Sequence, residues 1–192
     1  GSFALSQYFK SVKKSAIFTL FHCTRFPVLI LRSINPYSKK RSLMNYQHIL
    51  LAVDDSPIAF IAAEQVRILA KALGSQVTIA SVVVTDPLTS VSSYKNVPGI
   101  TDYSMQAQAH AKNILTELSH QFTEQGISAE SKILTAQSPS NAITKLADEL
   151  NVDLIVVGSH GRTGFKKAII GSVAQDILTS SHIPVLVIKY TK

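Results

Sequence analysis

The chain has 192 residues, of which 46% are hydrophobic, so it is long and apolar enough to form one domain with an extension. Its net charge of +7 is not spread evenly: residues 1–43 hold eight Lys or Arg and no acid, and the remainder holds 11 basic and 12 acidic residues. A nearly neutral body removes the main support for a nucleic-acid-binding function. Cys23 is the single cysteine, so the chain can form no internal disulfide.

We expect residues 1–43 to be a basic leader that is flexible or only locally ordered. Gly1-Ser2 resembles the remnant of a cleaved tag, and a start at Met44 would make the leader a non-native extension. Its apolar runs, Ala16 to Phe21 and Phe26 to Leu31, are each shorter than the roughly 20 residues that a membrane span requires. A transit-like or membrane-surface segment is the alternative interpretation of this composition.

Residues 44–192 alternate buried strands with amphipathic helices, and we treat them as one domain. This alternation predicts an α/β fold: a five-stranded open parallel sheet of order 3-2-1-4-5 with helices on both faces, Rossmann-like and nucleotide-binding. The predicted strands are Gln47–Val53, Gln76–Val84, Ser128–Leu134, Leu154–Val157 and Val185–Ile188; the predicted helices run from Ser56 to Gly74, Ser104 to Gln125, Ser138 to Leu150 and Gly171 to Leu178.

Two connecting segments carry further expectations. Thr85 to Tyr103 contains Pro87, Pro98 and several serines, which predicts a long loop of the kind that often serves as a lid. The alternation around Ser128 to Leu134 predicts an edge strand with Ile127, Ala129, Ser131 and Ile133 on one side.

The strand, glycine loop and helix start between Leu154 and Leu178 indicate a phosphate site. In the predicted strand order, Asp54 and the Gly158 loop face one crevice at the carboxyl ends of the first and fourth strands. The free N–H groups of a helix start favour an anion there. A mobile loop with turn glycines is the plainer alternative, and neither a P-loop nor a Gly-x-Gly-x-x-Gly fingerprint occurs.

Three segments resemble the universal stress protein A family, and the resemblance spans Tyr46 to Tyr190. They are His48 to Ser56, Val152 to Arg162, and Gly171-Ser172-Val173 together with Pro184 to Val187. The ATP-binding branch of that family carries the pattern Gly-x2-Gly-x9-Gly-Ser/Thr. This sequence satisfies the pattern at Gly158, Gly161, Gly171 and Ser172.

The resemblance implies an ATP site with no protein metal ligands, in which any Mg²⁺ is held by the nucleotide phosphates. It places Asp54 near the adenine and gives the helix start to the triphosphate, with Gly171, Ser172 and Val173 donating backbone N–H groups. The positions that it implies for nucleotide binding are Ala52, Val53, Asp54, Val82, Val157, Gly158, His160, Gly161, Arg162, Gly171, Ser172 and Val173.

One departure from the family pattern lies at this site. Many members have Asp-Gly-Ser where this chain has Asp54-Asp55-Ser56. A second carboxylate there either lowers nucleotide affinity or points to solvent.

The resemblance also implies a homodimer in which the last strand, Val185–Ile188, pairs antiparallel across a two-fold axis. We further expect a cytoplasmic protein with an unidentified protein partner and no nucleic-acid partner. Nucleotide binding would order two loops, Thr85 to Tyr103 and Ser159 to Ile170, and so change the surface that this partner contacts.

The predicted function is therefore an ATP-dependent switch or sensor in a stress response. We assign no catalytic residue, because the sequence singles out no nucleophile with an activating base, so at most slow ATP hydrolysis is expected. The alternatives are an ATP-cleaving adenylyl-transfer or phosphatase enzyme of the same broader fold, and an interaction module that binds no nucleotide.

Overall fold

The structure is a computed structural model that describes residues 16–23, 26–33, 46–85, 100–160 and 170–189. Within these residues it has seven strands and four helices. The strands are β1 (Ala16–Cys23), β2 (Phe26–Ser33), β3 (His48–Ala52), β4 (Gln76–Val84), β5 (Ala129–Ala136), β6 (Leu154–Gly158) and β7 (Val185–Ile188); the helices are α1 (Pro57–Leu73), α2 (Ile100–Thr123), α3 (Pro139–Glu149) and α4 (Ser172–Ser180).

The strands form one sheet of order β1-β2-β7-β6-β3-β4-β5. The five strands from β7 to β5 are parallel to their neighbours, and counted along the domain they have the order 3-2-1-4-5. The predicted fold class is therefore confirmed. The central strand β3 pairs with β4 on one side and β6 on the other, so the crossover direction reverses at β3 and opens a crevice there.

Part of the leader extends the sheet, which the sequence did not predict. β1 and β2 form an antiparallel hairpin, and β2 pairs antiparallel with β7. The two apolar runs, too short to span a membrane, find hydrogen-bond partners at the end of the parallel sheet instead. As a result β7 is an inner strand of this structure, and the other leader residues lie outside the described ranges.

Helices cover both faces of the parallel sheet, as the continuous apolar strands require. Successive residues of β3 point to opposite faces: Ile49 and Leu51 pack with α1 and α2, and Leu50 packs with α3 and α4. All three side chains are fully buried. This double layer fixes the carboxyl ends of the strands, where the crevice lies.

At the start of α1, Ser56 bonds to Asp54 and not to the backbone of the helix. The helix begins at Pro57 after Ser56 and ends at Gly74, whose φ of +69° is a left-handed conformation that glycine adopts readily. Ser56 does not cap the helix with its side chain. Both its N–H and its hydroxyl instead donate to Oδ1 of Asp54, a charged acceptor two residues earlier.

The predicted boundary between the long loop and the second helix needs correction. Helix α2 begins at Ile100, directly after Gly99, and not at Ser104. The segment predicted as a loop, Thr85 to Tyr103, therefore overlaps the start of this helix. No glycine or proline lies between Ile100 and Gln125, so nothing in the sequence prevents the helix from beginning at Ile100. Residues 86–99, which would form the lid, lie outside the described residues.

Strand β5 is an edge strand as predicted, since among the described strands it pairs with β4 alone. Ile127 is buried before the strand begins, and Ala129 packs against the core. Ile133, however, is 39% exposed, while Leu134 on the opposite face packs with the α3 side. Ile133 therefore lies on the same side of β5 as Ala129 but outside the core, because helices cover this edge strand along only part of its length.

Candidate functional site: a cleft at the sheet switch point

A cleft of about 270 Å³ opens at the carboxyl ends of β3, β4 and β6. The starts of α3 and α4 complete its walls. The lining residues are Ala52, Val53, Asp54, Ala59, Ala80, Val82, Val84, Pro139, Ile143, Val157, Gly158, Ser159, His160, Gly171, Ser172, Val173 and Ala174.

One side of the cleft, here called the strand end, consists of Ala80, Val82, Val53 and Asp54. The N–H of Val53 donates to the carbonyl of Ala80 at 2.9 Å, and this bond holds the residue that follows β3 against β4. The Asp54 carboxylate is oriented by Ser56, whose N–H lies 3.1 Å from Oδ1. The strand end thus combines apolar walls with one positioned carboxylate.

The opposite side, here called the helix end, consists of Gly158 to His160 and Gly171 to Val173. The N–H of Ser159 donates to the carbonyl of Ile188 at 2.7 Å, and the carbonyl of Ser159 accepts from the N–H of Gly171 at 2.6 Å. The Ser159 hydroxyl lies 3.1 Å from Nδ1 of His160. The first bond fastens the start of the glycine loop to β7, and the second joins the start of the loop to its end.

The start of α4 supplies the donors at the helix end. Gly171 is the N-cap residue, and the first bond within the helix runs from the N–H of Gln175 to the carbonyl of Gly171 at 2.9 Å. The N–H groups of Ser172, Val173 and Ala174 precede that bond, so they are available to an anion at the positive end of the helix dipole.

One of the expected donors already has a partner in this structure. The resemblance implied that the N–H of Gly171 serves the triphosphate, and here that N–H donates to the carbonyl of Ser159. A single N–H cannot serve a phosphate as well without weakening this bond. The role of Gly171 as a phosphate donor stays a prediction.

Both described glycines of the pattern lie in tight contact with neighbouring residues, more closely at Gly158 than at Gly171. A Cβ on Gly158 would lie 2.8 Å from Cγ2 of Ile58 in α1, and a Cβ on Gly171 would lie 3.2 Å from the carbonyl oxygen of Ser159. Neither glycine has a positive φ. The pattern therefore encodes the fit of the loop ends to the fold as well as room for a ligand.

The cleft brings together most of the residues that the sequence singled out. Ala52, Val53, Asp54, Val82, Val157, Gly158, His160, Gly171, Ser172 and Val173 all line it. Gly161 and Arg162 lie outside the described residues. Their place in the site stays a prediction.

Sequence reasoning missed the wall formed by Pro139 and Ile143. The signal was present, because α3 follows a parallel strand, and a helix after a parallel strand begins at the same edge of the sheet as the crevice. Ser138 is the N-cap residue of α3, and its hydroxyl accepts from the N–H of Asn141 at 3.4 Å. The missed Ser159 also had a signal, since it lies between Gly158 and His160.

Asp55 does not line the cleft, although it directly follows Asp54. Its Oδ2 lies 3.4 Å from Nε2 of His110 on α2, and the Asp55 side chain is 32% exposed. The second carboxylate is therefore directed toward α2. None of the described lining residues is Lys or Arg, so the hydrogen-bond donors of the described cleft are backbone N–H groups and the side chains of Ser159, His160 and Ser172.

The described residues contain no group of three His, Cys, Asp or Glu side chains that is arranged to hold a metal ion. Their helices also include none that combines the length and apolarity of a membrane span.

Comparisons with known proteins agree with this architecture. Residues 45–189 match the model of the universal stress protein family. Universal stress protein MJ0531 of Methanocaldococcus jannaschii is 27% identical over 172 residues, with 86% of this chain and 97% of that protein covered. That coverage exceeds the share of the chain taken by residues 45–189, so the likeness reaches beyond the family match.

Two solved structures share the fold. MJ0577 from the same archaeon superposes with a TM-score of 0.67 at 28% identity, covering 77% of this chain and 98% of that one. The universal stress protein from Archaeoglobus fulgidus, solved in complex with dAMP, has a TM-score of 0.56 at 23% identity, covering 76% and 100%. Since the family model matches most of the chain, this protein belongs to the universal stress protein family.

Proposed function

We propose that this protein binds ATP, or another adenine nucleotide, in the cleft at the switch point and acts as a nucleotide-dependent switch or sensor in a stress response. The observation that carries the proposal is the pairing of two unlike ends in one cleft: apolar walls with Asp54 at the strand end, and the unbonded N–H groups of α4 at the helix end. An adenosine fits the first, and phosphates fit the second.

The direction of the nucleotide follows from the order of the strands. Val82 on β4 and Asp54 after β3 flank the base, and Gly158 after β6 leads toward α4 and the phosphates. Any Mg²⁺ would be held by the phosphate oxygens. A dAMP complex of a structural neighbour supports the adenine part of the proposal.

Further parts of the proposal concern location and assembly. We place the protein in the cytoplasm, and we propose a homodimer formed through β7 and an unidentified protein partner that responds to the nucleotide state. The dimer requires the β7 edge, which β2 covers in this structure.

Equilibrium ATP binding by the full chain tests the nucleotide site. We expect binding of one ATP per chain at millimolar or lower concentration. Ser172→Ala should weaken binding about fivefold, because one hydrogen bond to phosphate is worth about 1 kcal/mol and the backbone donors remain. Ser180→Ala is the matched control, since Ser180 lies at the other end of α4 and bonds to the carbonyl of Asp176.

Three results would contradict the proposal. A chain that binds no nucleotide at millimolar ATP would favour the interaction module. Equal loss of affinity in Ser172→Ala and Ser180→Ala would move the phosphates away from the start of α4. Fast, magnesium-dependent product formation would favour the adenylyl-transfer or phosphatase enzyme.

A further inference from the structure

The edge of the parallel sheet at β7 is fully occupied by the chain itself. All four residues of β7 pair with β2: Val185 with Leu31, Leu186 with Ile30, Val187 with Leu29, and Ile188 with Val28. The other side of β7 pairs with β6. A strand with both sides paired offers no row of donors and acceptors to another chain.

The segment that covers β7 is a regular hairpin. β1 and β2 pair over eight positions, from Ala16 with Ser33 to Cys23 with Phe26. Pro27 lies just before the first residue that pairs with β7, so its missing N–H falls outside that ladder. The sequence of the hairpin is thus compatible with an inner position for β2.

The hairpin depends on β7 for much of its stability. An isolated two-stranded hairpin is marginally stable in water, and a third strand is usually needed. The third strand here is β7, and its ladder with β2 is only four residues long. A short ladder of this kind can open while the five-stranded sheet and its two cores stay intact.

We propose that the hairpin of residues 16–33 is a built-in cap on the β7 edge, and that it occupies the surface through which a second copy of this chain would pair. Release of the cap and dimerisation are then one coupled equilibrium. This inference rests on the homodimer part of the proposed function, and it gives the leader a role in controlling assembly.

The covalent connection between the hairpin and the sheet determines whether the hairpin or a second copy of the chain occupies the β7 edge. Residues 34–47 join β2 to β3, so the hairpin meets β7 at an effective concentration on the order of millimolar. A second copy at micromolar concentration competes poorly against it. Because both copies have to open, a cap that is closed about nine-tenths of the time raises the apparent dimer dissociation constant about 100-fold.

A register-matched cysteine pair tests whether the cap exists in solution. In a Cys23→Ser background, Leu29→Cys with Val187→Cys joins two directly paired positions, whereas Leu29→Cys with Leu186→Cys is one residue out of register and points to opposite faces. We expect the matched pair to form an intrachain disulfide under mild oxidation and the mismatched pair to form at least tenfold less. Equal yields from the two pairs, or no intrachain product, would overturn the cap.

Sedimentation of the same proteins tests the competition. The oxidised matched pair should stay monomeric at all concentrations. Leu29→Pro with Ile30→Pro removes a donor from each side of β2 and should lower the dimer dissociation constant at least tenfold, while Leu29→Val with Ile30→Val, which keeps the strand, should not change it.

The outcomes separate this inference from the homodimer proposal. A locked chain that still dimerises shows that the cap does not block assembly, which overturns the inference. In a second possible outcome the matched disulfide forms, but the folded double-proline chain stays monomeric. The hairpin then covers β7, whereas the homodimer proposal fails, and the competition between cap and second copy fails with it. ATP binding is measured on the same samples and is expected to be unchanged.

Discussion

The two ends of the cleft are lined by different parts of the polypeptide: side chains at the strand end and backbone groups at the helix end. The strand end presents side chains, with Val82 and Asp54 fixed on or beside inner strands. The helix end presents backbone, with the loop fastened by the bonds of Ser159 to Ile188 and Gly171. Replacing Asp54 changes one side chain of the strand end and leaves its buried neighbours Val53 and Ala80 in place, whereas at the helix end the glycines that shape the site also fit the loop to the fold. Substitutions at the two ends should therefore separate affinity from stability.

The largest effect is expected at Gly158, where the loop leaves β6. Gly158→Ala places a Cβ 2.8 Å from Cγ2 of Ile58, and α1 or the loop has to shift. Overpacking of this kind costs about 1–3 kcal/mol, so urea unfolding should show a loss of stability of that size. Ile58→Ala removes the colliding atom. In the Ile58→Ala background, Gly158→Ala should therefore cost much less stability than it does in the wild-type chain.

A double-mutant cycle makes that prediction sharp. If Ile58→Ala and Gly158→Ala destabilise additively, the close approach to α1 is not the reason for the glycine. If stability recovers but ATP binding does not, Gly158 also leaves room for the ligand. Both measurements use the full chain, and the wild-type protein sets the reference.

The same contrast explains what the sequence could and could not predict. β4 and β7 were predicted with their observed bounds, because β4 is rich in β-branched residues and β7 is a continuous apolar run. Asp54 was found because a polar residue after such a run lies at the switch point. The bond from Gly171 to Ser159 and the packing of Ile58 on Gly158 were not predictable, since each depends on how distant segments meet.

The leader shows the limit from the other direction. Its apolar runs were noticed, but strand pairing needs a partner, and the composition of residues 16–33 says nothing about which edge of the sheet is available. The partner, β7, lies more than 150 residues later in the sequence. The exposure of Ile133 was not predictable for a related reason, because it depends on how far a helix extends over an edge strand.

The strand end should respond in affinity. Asp54→Ala removes the carboxylate that accepts from Ser56 and that we place beside the base, so ATP binding should weaken about 10-fold to 100-fold, as expected for a hydrogen bond to a charged group. Asp54→Asn keeps an acceptor oxygen and should lose less. The measurement is equilibrium ATP binding by calorimetry.

A carboxylate at the opposite end of β3 provides the matched control. Asp153 accepts from the backbone N–H groups of Gln47 and His48 at 2.8 and 3.2 Å, far along the strand from the cleft. Asp153→Asn should lower stability without changing ATP affinity. If it weakens binding as much as Asp54→Asn does, the loss reflects the sheet and not contact with the base.

The smallest effect is expected at Asp55, the position where this chain departs from its family. Asp55 faces His110 across 3.4 Å and does not line the cleft, so Asp55→Gly should change ATP affinity by less than about twofold. The exposed contact between Asp55 and His110 is worth at most about 1 kcal/mol, so His110→Ala should match Asp55→Gly in unfolding experiments. A clear gain in affinity for Asp55→Gly but not for His110→Ala would mean that the carboxylate repels the nucleotide from its position beside Asp54. The strand end would then carry two opposing acids, and its selectivity would come from the balance between them.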